Sequence, residues 1–383
     1  MGSTIHGQRG WTTTGLAVAL AVQAGWLSAA EEPKTLAIGA AAADFSLPGI
    51  DDETYTLADF AEADVLVIVF TCNHCPTAQA YEGRIKELAA DYQERGVAVV
   101  AVSPNDAAAV RLDELGYTDV GDSLADMKLR AEAEEFAFPY LYDGETQAMA
   151  KAYGPVATPH VFIFDRQRRL RFSGRIDDHQ DPRKVKVRDT RNAIDALLAG
   201  RPVPVATTRT FGCSIKWADK RASAVEALAT WDQETAELHT IDAAGLAELV
   251  ANKTDKLRVI NVWATWCGPC VTEFPELVTI HRMYRNRDFE LVTVTADAPE
   301  NAAAALKFLN KQRASTTNYI FDKDAPYALA DALGVEWPGA LPFTLVVKPG
   351  GEVVYKKMGP IDPLELRRAI VDELSRYYFK MDR

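Results

Sequence analysis

Cysteine is scarce in this chain: five residues in 383, far below the density of a disulfide-stapled scaffold, so the fold must rest on apolar cores. The few cysteines then read as tools. Positive charge is also in deficit. The formal net charge is -12, and with Arg9 the one formally charged side chain of residues 1–30 the remainder carries -12 - 1 = -13. So acidic a body argues against nucleic acid or anionic lipid as the main partner. Long apolar runs are missing too. The only candidate, residues 14–27, is interrupted by Gln23 and Gly25 and falls short of the ~20 residues a spanning helix needs.

That run follows Arg9 and precedes Ser28-Ala29-Ala30, the pattern of an export signal with cleavage after a small residue. Residues 1–30 are therefore read as a signal peptide, with an uncleaved anchor as the alternative. No cysteine follows the run, which disfavours a lipoprotein. The mature protein is expected in the periplasm, without stable membrane insertion, where keeping thiol pairs reduced requires a dedicated electron donor.

What is present is a repeat. Val65 to Phe70 run into Cys72-Asn73-His74-Cys75 and a helix-period stretch; Val259 to Ala264 run into Cys267-Gly268-Pro269-Cys270 and another. Each copy continues with a second apolar strand, a strand opened by Pro159 or Pro342, and a return strand ending at Gly174 or Gly359. The offsets are 267 - 72 = 195, 342 - 159 = 183 and 359 - 174 = 185. Near-constant spacing makes a tandem duplication of one α/β unit the economical reading.

Strand, paired cysteines, helix and a later proline-led hairpin resemble the thioredoxin fold. The fold class is thus expected to be α/β, two tandem thioredoxin-like domains, each with a mixed β-sheet flanked by helices. Ala43-Asp44-Phe45-Ser46-Leu47-Pro48-Gly49 and the strand before Cys72 resemble the peroxiredoxin-like (AhpC/TSA-type) redoxin branch. The run Asn261 to Cys270, with Glu273 and Pro275 beyond, resembles exported thiol-disulfide oxidoreductases of the TlpA/ResA type. The domains are placed at 31–217 and 239–383, with 218–238 as a linker that is equally compatible with an extra helix.

In the second domain a thiolate is the nucleophile of disulfide exchange, and a helix N-terminus stabilises it. Cys267 is expected there, exposed, with Cys270 one turn inward to resolve the mixed disulfide; Trp266, Gly268 and Pro269 complete the motif. The resemblance implies that Pro342 is cis and packs beside Cys267, and that Pro275 kinks the helix. Thioredoxin has a buried aspartate where this chain has Asn261, which leaves Glu273 or water to take the proton of Cys270. A shared zinc site is disfavoured, because the pairs are 267 - 75 - 1 = 191 residues apart against roughly 15–20 in ribbon-type sites.

In the first domain Cys72 is expected as nucleophile and Cys75 as its resolving partner, with Pro159 beside them. His74 stabilises a neighbouring thiolate and makes this pair the more oxidising of the two; electrons passing between domains then flow from Cys267/Cys270 to Cys72/Cys75. The resemblance also raises a thiol peroxidase. That activity calls for Pro-x-x-x-Thr-x-x-Cys, and if Cys75 reacts those positions hold Ile68 and Cys72, a mismatch. A copper-binding assembly factor using Cys72, His74, Cys75 and His160 is a third reading. Cys213 is either a buried small residue or a third thiol that resolves Cys72 or receives electrons from the second domain. Basic turns at Arg166–Arg171 and Lys184–Arg188 are read as solvated, or as steering an acidic partner. No organic cofactor and no resident metal are expected. The expected partners are protein dithiols or disulfides and an upstream electron donor.

Overall fold

The computed structural model of the chain describes residues 1–4, 7, 33–324 and 326–379; the apolar run of the expected signal peptide lies outside the described residues. A short hairpin, β1 (Ser46–Pro48) and β2 (Thr54–Thr56), precedes β3 (Val65–Phe70) and α1 (Pro76–Tyr92). Then come β4 (Val97–Ser103), α2 (Leu124–Ala133), β5 (Tyr140–Tyr142), α3 (Ala148–Tyr153), β6 (His160–Phe164), β7 (Leu170–Gly174) and α4 (Asp189–Leu198). The sheet runs β5-β4-β3-β6-β7, with β4 parallel and β6 antiparallel to β3. All six residues of β3 are buried, the uninterrupted apolar signature of a strand covered on both faces. Tyr81, Ile85, Leu88 and Tyr92 are the buried stripe of α1, spaced as helix periodicity demands.

The second domain repeats the plan: β8 (His239–Ile241), α6 (Ala243–Ala251), β9 (Leu257–Trp263), α7 (Gly268–Tyr284), β10 (Phe289–Thr295), α8 (Ala302–Gln312), β11 (Thr317–Phe321), α9 (Pro326–Leu333), β12 (Phe343–Val347), β13 (Val353–Met358) and α10 (Pro363–Leu374). Its sheet order is β13-β12-β9-β10-β11-β8. The two sheets share a four-strand core, β4-β3-β6-β7 matching β10-β9-β12-β13, and the expected pair of thioredoxin-like α/β domains is the architecture of the chain.

Sheet register fixes the correspondence between copies. Phe70 lies opposite His160 and Val102, and Val262 opposite Phe343 and Val294, an offset of 262 - 70 = 192. Helices α1 and α7 obey it at both ends. Cys75 therefore corresponds to Cys267, Cys72 to Ala264 and Ala78 to Cys270. This corrects the pairing of Cys72 with Cys267: the first cysteine pair sits three residues earlier on its strand-helix junction.

The segment expected as a linker is largely helical, α5 (Arg221–Trp231). Its first residue pairs with Asp106 at 2.5 Å, while Trp231 lies under the Arg285 guanidinium and the following Asp232 and Glu234 pair with Arg282 and Arg285. Alanine-rich, helix-favouring sequence thus becomes a tie between the domains. They also meet directly: Tyr284 donates to Thr118 O at 2.9 Å and Asn286 to Asp113 at 3.3 Å. Arg287 donates to Gly116 O, and buried Asp119 takes Arg368 at 3.1 Å and Arg376. These second-domain residues belong to the C-terminal end of α7 and the turn after it, or to α10 and its tail.

Candidate active site

In the second domain Cys267 caps α7. It has extended backbone, and its Sγ accepts from the Cys270 N–H at 3.3 Å. Glycine and proline at the first two helical positions suit the turn. Cys267 and Cys270 are joined in a disulfide with Cα atoms 5.3 Å apart. Cys267 is 6% exposed and Cys270 not at all, while Trp266 beside them is 67% exposed. The disulfide thus presents one edge, flanked by exposed Gly268 and Pro269, rather than the open cysteine expected. The Leu341–Pro342 bond is cis, at the start of β12, and Pro275 lies inside α7.

Beneath the disulfide runs a buried polar chain. The Asn261 Nδ2 donates to Glu273 at 3.1 Å and to Thr344 Oγ1 at 3.0 Å, and Glu273 accepts the Ile361 N–H at 2.9 Å. Burial pushes the Glu273 carboxyl upward against the lowering pull of those two donors. Glu273 sits one turn beyond Cys270 on the same helix face.

The first domain differs. The residue capping α1 is Cys75, not Cys72: its Sγ accepts the Ala78 N–H at 3.4 Å, and Pro76 opens the helix. Cys72 lies before the helix with its Sγ 3.1 Å from Thr158 Oγ1, and Cys75 Sγ lies 3.5 Å from Thr158 O. The Thr158–Pro159 bond is cis, as is its counterpart in the second domain. Both thiols of the pair are buried, Cys72 2% and Cys75 0% exposed. Cys72, Cys75 and Cys213 are free thiols.

Cys213 is drawn in by its backbone. It forms an isolated antiparallel bridge with Thr158, the Thr158 N–H donating to Cys213 O at 2.9 Å and the Cys213 N–H to Thr158 O at 3.3 Å. Gly212 makes this approach possible: its φ is +153°, and a Cβ there would lie 2.0 Å from Thr158 O. Cys72 and Cys213 pack against Cys75. Burial alone would push Cys75 up, but the neighbouring Cys213 and Cys72 thiols, His74 and the Ala78 N–H hold it well below the usual thiol range. Cys72 is pushed well up by burial and by Cys75, and Cys213 up by its neighbour Cys75 and by burial. Three free cysteines thus cluster, and Cys75 is the one whose pKa is held down.

His74 is fixed by a residue the sequence did not single out. Its Nδ1 is 2.5 Å from Asp122 Oδ2, and Asp122 also accepts the Asn73 and His74 N–H groups and Asn105 Nδ2. Burial lowers the His74 pKa, yet the Asp122 carboxylate more than offsets it and the net shift is upward. Among the described residues Cys72, His74 and Asp122 bring ligand atoms within 4.8 Å of one another. His160, the other histidine of the copper reading, is turned elsewhere. Its Nδ1 accepts the Val156 N–H at 3.2 Å and its Nε2 meets Ser173 Oγ at 3.0 Å, and burial depresses it to about 4. Three residues of the basic turns pair within the domain: Arg166 with Asp64, Arg171 with Asp165 and Lys184 with Asp181.

Asp122 and Thr158 left no sequence signal, since each acts on a cysteine or histidine 48 or more residues away. Tyr378 did leave one, in the aromatic run Tyr377-Tyr378-Phe379. It lines a cavity together with Cys213, stacks edge-on against Tyr117 at 5.0 Å, and comes from the tail beyond α10.

Comparison with known proteins adds two family matches. Residues 38–173 match the AhpC/TSA family and residues 239–372 the Redoxin family. Thiol-disulfide oxidoreductase ResA of Oceanobacillus iheyensis is 25% identical over 122 residues, covering 32% of this chain and 53% of that protein. Thiol:disulfide interchange protein DsbE of Allochromatium vinosum is 28% identical over 124 residues, covering 32% and 62%. The chain thus spans little more than half the length of these relatives. A hypothetical protein of Sinorhizobium meliloti, known as a crystal structure, is 36% identical over 48% of this chain and 97% of its own, with a TM-score of 0.43. No helix among the described residues is long and apolar enough to cross a membrane.

Proposed function

We propose that this chain, which consists of two redoxin-type domains in tandem, is an exported thiol-disulfide oxidoreductase whose working pair is Cys267–Cys270. The observation that carries the reading is the disulfide at the N-terminus of α7, edge-exposed beside Trp266. An upstream donor's dithiol opens that disulfide and becomes a disulfide itself. Cys267, as thiolate, attacks a partner protein's disulfide and expels one partner thiolate; Cys270 then attacks Cys267 Sγ and releases the second. Two electrons pass to the partner, and the pair is oxidised again. Export is supported by the N-terminal pattern, and the working division is 31–217, 218–238 and 239–383.

Trapping tests it. The full chain with Cys270→Ser, reduced and mixed with a disulfide-bonded model protein, is expected to hold a mixed disulfide at Cys267 that dithiothreitol releases. A partner never captured at Cys267 would overturn the reading.

A second reading is favoured by one observation: Cys75 is fully buried, a setting that suits a small oxidant better than a protein disulfide. A hydroperoxide would take the Cys75 sulfur to a sulfenic acid and leave as alcohol; a second thiol would then close a disulfide and release water. Peroxide consumption lost in Cys75→Ser and kept in Cys267→Ser would support it; equal loss in both would remove it.

A further inference from the structure

We infer that Cys213 is the port of the first domain: it forms the domain's exchangeable disulfide with Cys75, and it is the sulfur that an outside thiolate attacks. The inference rests on the thiol-disulfide reading above and assigns a role to a residue outside both Cys-x-x-Cys motifs.

Access comes first. Of the three sulfurs only that of Cys213 is half-buried rather than buried. It opens on a cavity of about 350 Å³ whose lining includes Thr77, His179, Phe211 and Tyr378. Cys72 and Cys75 line no part of it. An incoming thiolate must reach a sulfur in line with the bond it breaks, and the bond it can reach is one that ends at Cys213.

Leaving-group chemistry points the same way. Attack at Cys213 expels Cys75, and exchange is faster when the departing thiol has the lower pKa. Cys75 is held low by the Ala78 N–H, the Cys72 thiol and His74, whereas Cys72, the other candidate partner, is held high. Attack on a Cys72–Cys75 disulfide would have to occur at a buried sulfur. The step balances as follows. The outside thiolate bonds to Cys213 Sγ, the Cys75–Cys213 bond breaks, and its electron pair leaves on Cys75. The second thiol of the outside dithiol, losing its proton to solvent, then displaces Cys213. Two electrons enter the domain and the outside dithiol departs as a disulfide; the reverse sequence oxidises the domain.

Disulfide mapping of the wild-type full chain tests this, since it needs no variant to fold. The reduced protein is oxidised with an aromatic disulfide reagent, free thiols are alkylated, and non-reduced peptides are identified by mass spectrometry. A cross-linked peptide pair containing Cys75 and Cys213 is expected, replaced by Cys72–Cys75 only in Cys213→Ser. A wild-type map in which Cys72 is bonded to Cys75 and Cys213 is quantitatively alkylated would overturn the inference. The same map reports Cys267–Cys270: if that pair forms and turns over insulin while Cys213 stays free, this inference alone fails. If Cys75–Cys213 forms while Cys267 is dispensable for insulin, the reading of the second domain fails instead.

Discussion

Cys75 and Cys267 occupy one position in two copies of one fold, each capping the helix that follows the central strand, 267 - 75 = 192 residues apart. Their companions do not correspond. Cys270 follows its partner by one helical turn, whereas Cys72 precedes its partner, and Ala78 fills the place that Cys270 holds. One helix N-terminus therefore serves two arrangements of sulfur: a closed disulfide with a narrow exposed edge at Cys267, and a buried cysteine flanked by two further free cysteines.

The lowered Cys75 pKa should reveal itself by titration. Cys75 sits well below the usual 9.0, so the ultraviolet thiolate band of the reduced protein should persist at pH values where ordinary thiols are protonated, and vanish in Cys75→Ser. His74 is raised above 6.5 by Asp122. Its contribution to stability is thus fully present below 6.5 and is lost as pH rises through the raised value. Asp122→Asn removes the charge that raises His74, and the Cys75 inflection should rise with its loss.

The same stabilisation of the reduced form makes an oxidant. Redox titration of the full chain, followed by peptide mapping, should give the Cys75 disulfide a less negative potential than Cys267–Cys270, within the span of about -270 to -120 mV known for such sites. Equal or reversed potentials would remove this ordering. Transfer between them inside one copy is another matter. Tyr284, at the far end of α7 from Cys267, contacts Thr118 of the first domain, and 17 residues of helix span about 25 Å. The Cys267 end of α7 therefore lies about 25 Å along the helix from that contact.

Asp119 is the charge that holds that interface. It is 3% exposed and takes Arg368, Arg376 and, at 3.9 Å, Arg130. Burial raises its pKa, but these guanidiniums hold it below the usual value, so its stabilisation is present above 3.8 and is lost as pH falls through the lowered value. Asp119→Ala removes a buried acceptor shared by three arginines, of which Arg130 keeps Glu82 and Glu134 and Arg376 keeps Asp372, and should lower stability, read by denaturant unfolding. It should also free the Tyr378 tail and speed alkylation of Cys213.

Asn261→Asp would put a second carboxyl about 3 Å from Glu273, where two negative charges cannot coexist. Glu273 alone is raised above 4.5, so stability from its neutral form is present below 4.5 and falls as pH rises through the raised value. The variant should steepen that fall by about 1.4 kcal/mol for each unit added to the pair's upper pKa, read as Tm against pH.

Much of this was legible in the chain. Apolar runs and the repeat gave both sheets, because a central strand buried on two faces has to be continuous in sequence. Pro159 and Pro342 marked the strands beside both sites for the same local reason. The register of the first site was not legible. Two Cys-x-x-Cys spacings look alike in sequence, and only the strand pairing of Phe70 and the helix start at Pro76 reveal that Cys75 is the cap. Asp122, Thr158 and Tyr378 act across 48 to 165 residues (122 - 74 = 48, 378 - 213 = 165), separations that no local pattern encodes. The segment 218–238 was open between linker and helix because charged, alanine-rich sequence suits either, and its docking against Asp106 and Arg285 decided the matter.

Insulin reduction by dithiothreitol, followed as turbidity, tests the central claim most directly when the full chain is compared with Cys267→Ser and Cys75→Ser. Cys267→Ser is expected to fall to the uncatalysed rate while Cys75→Ser keeps most of the turnover. Undiminished turnover in Cys267→Ser would contradict the account.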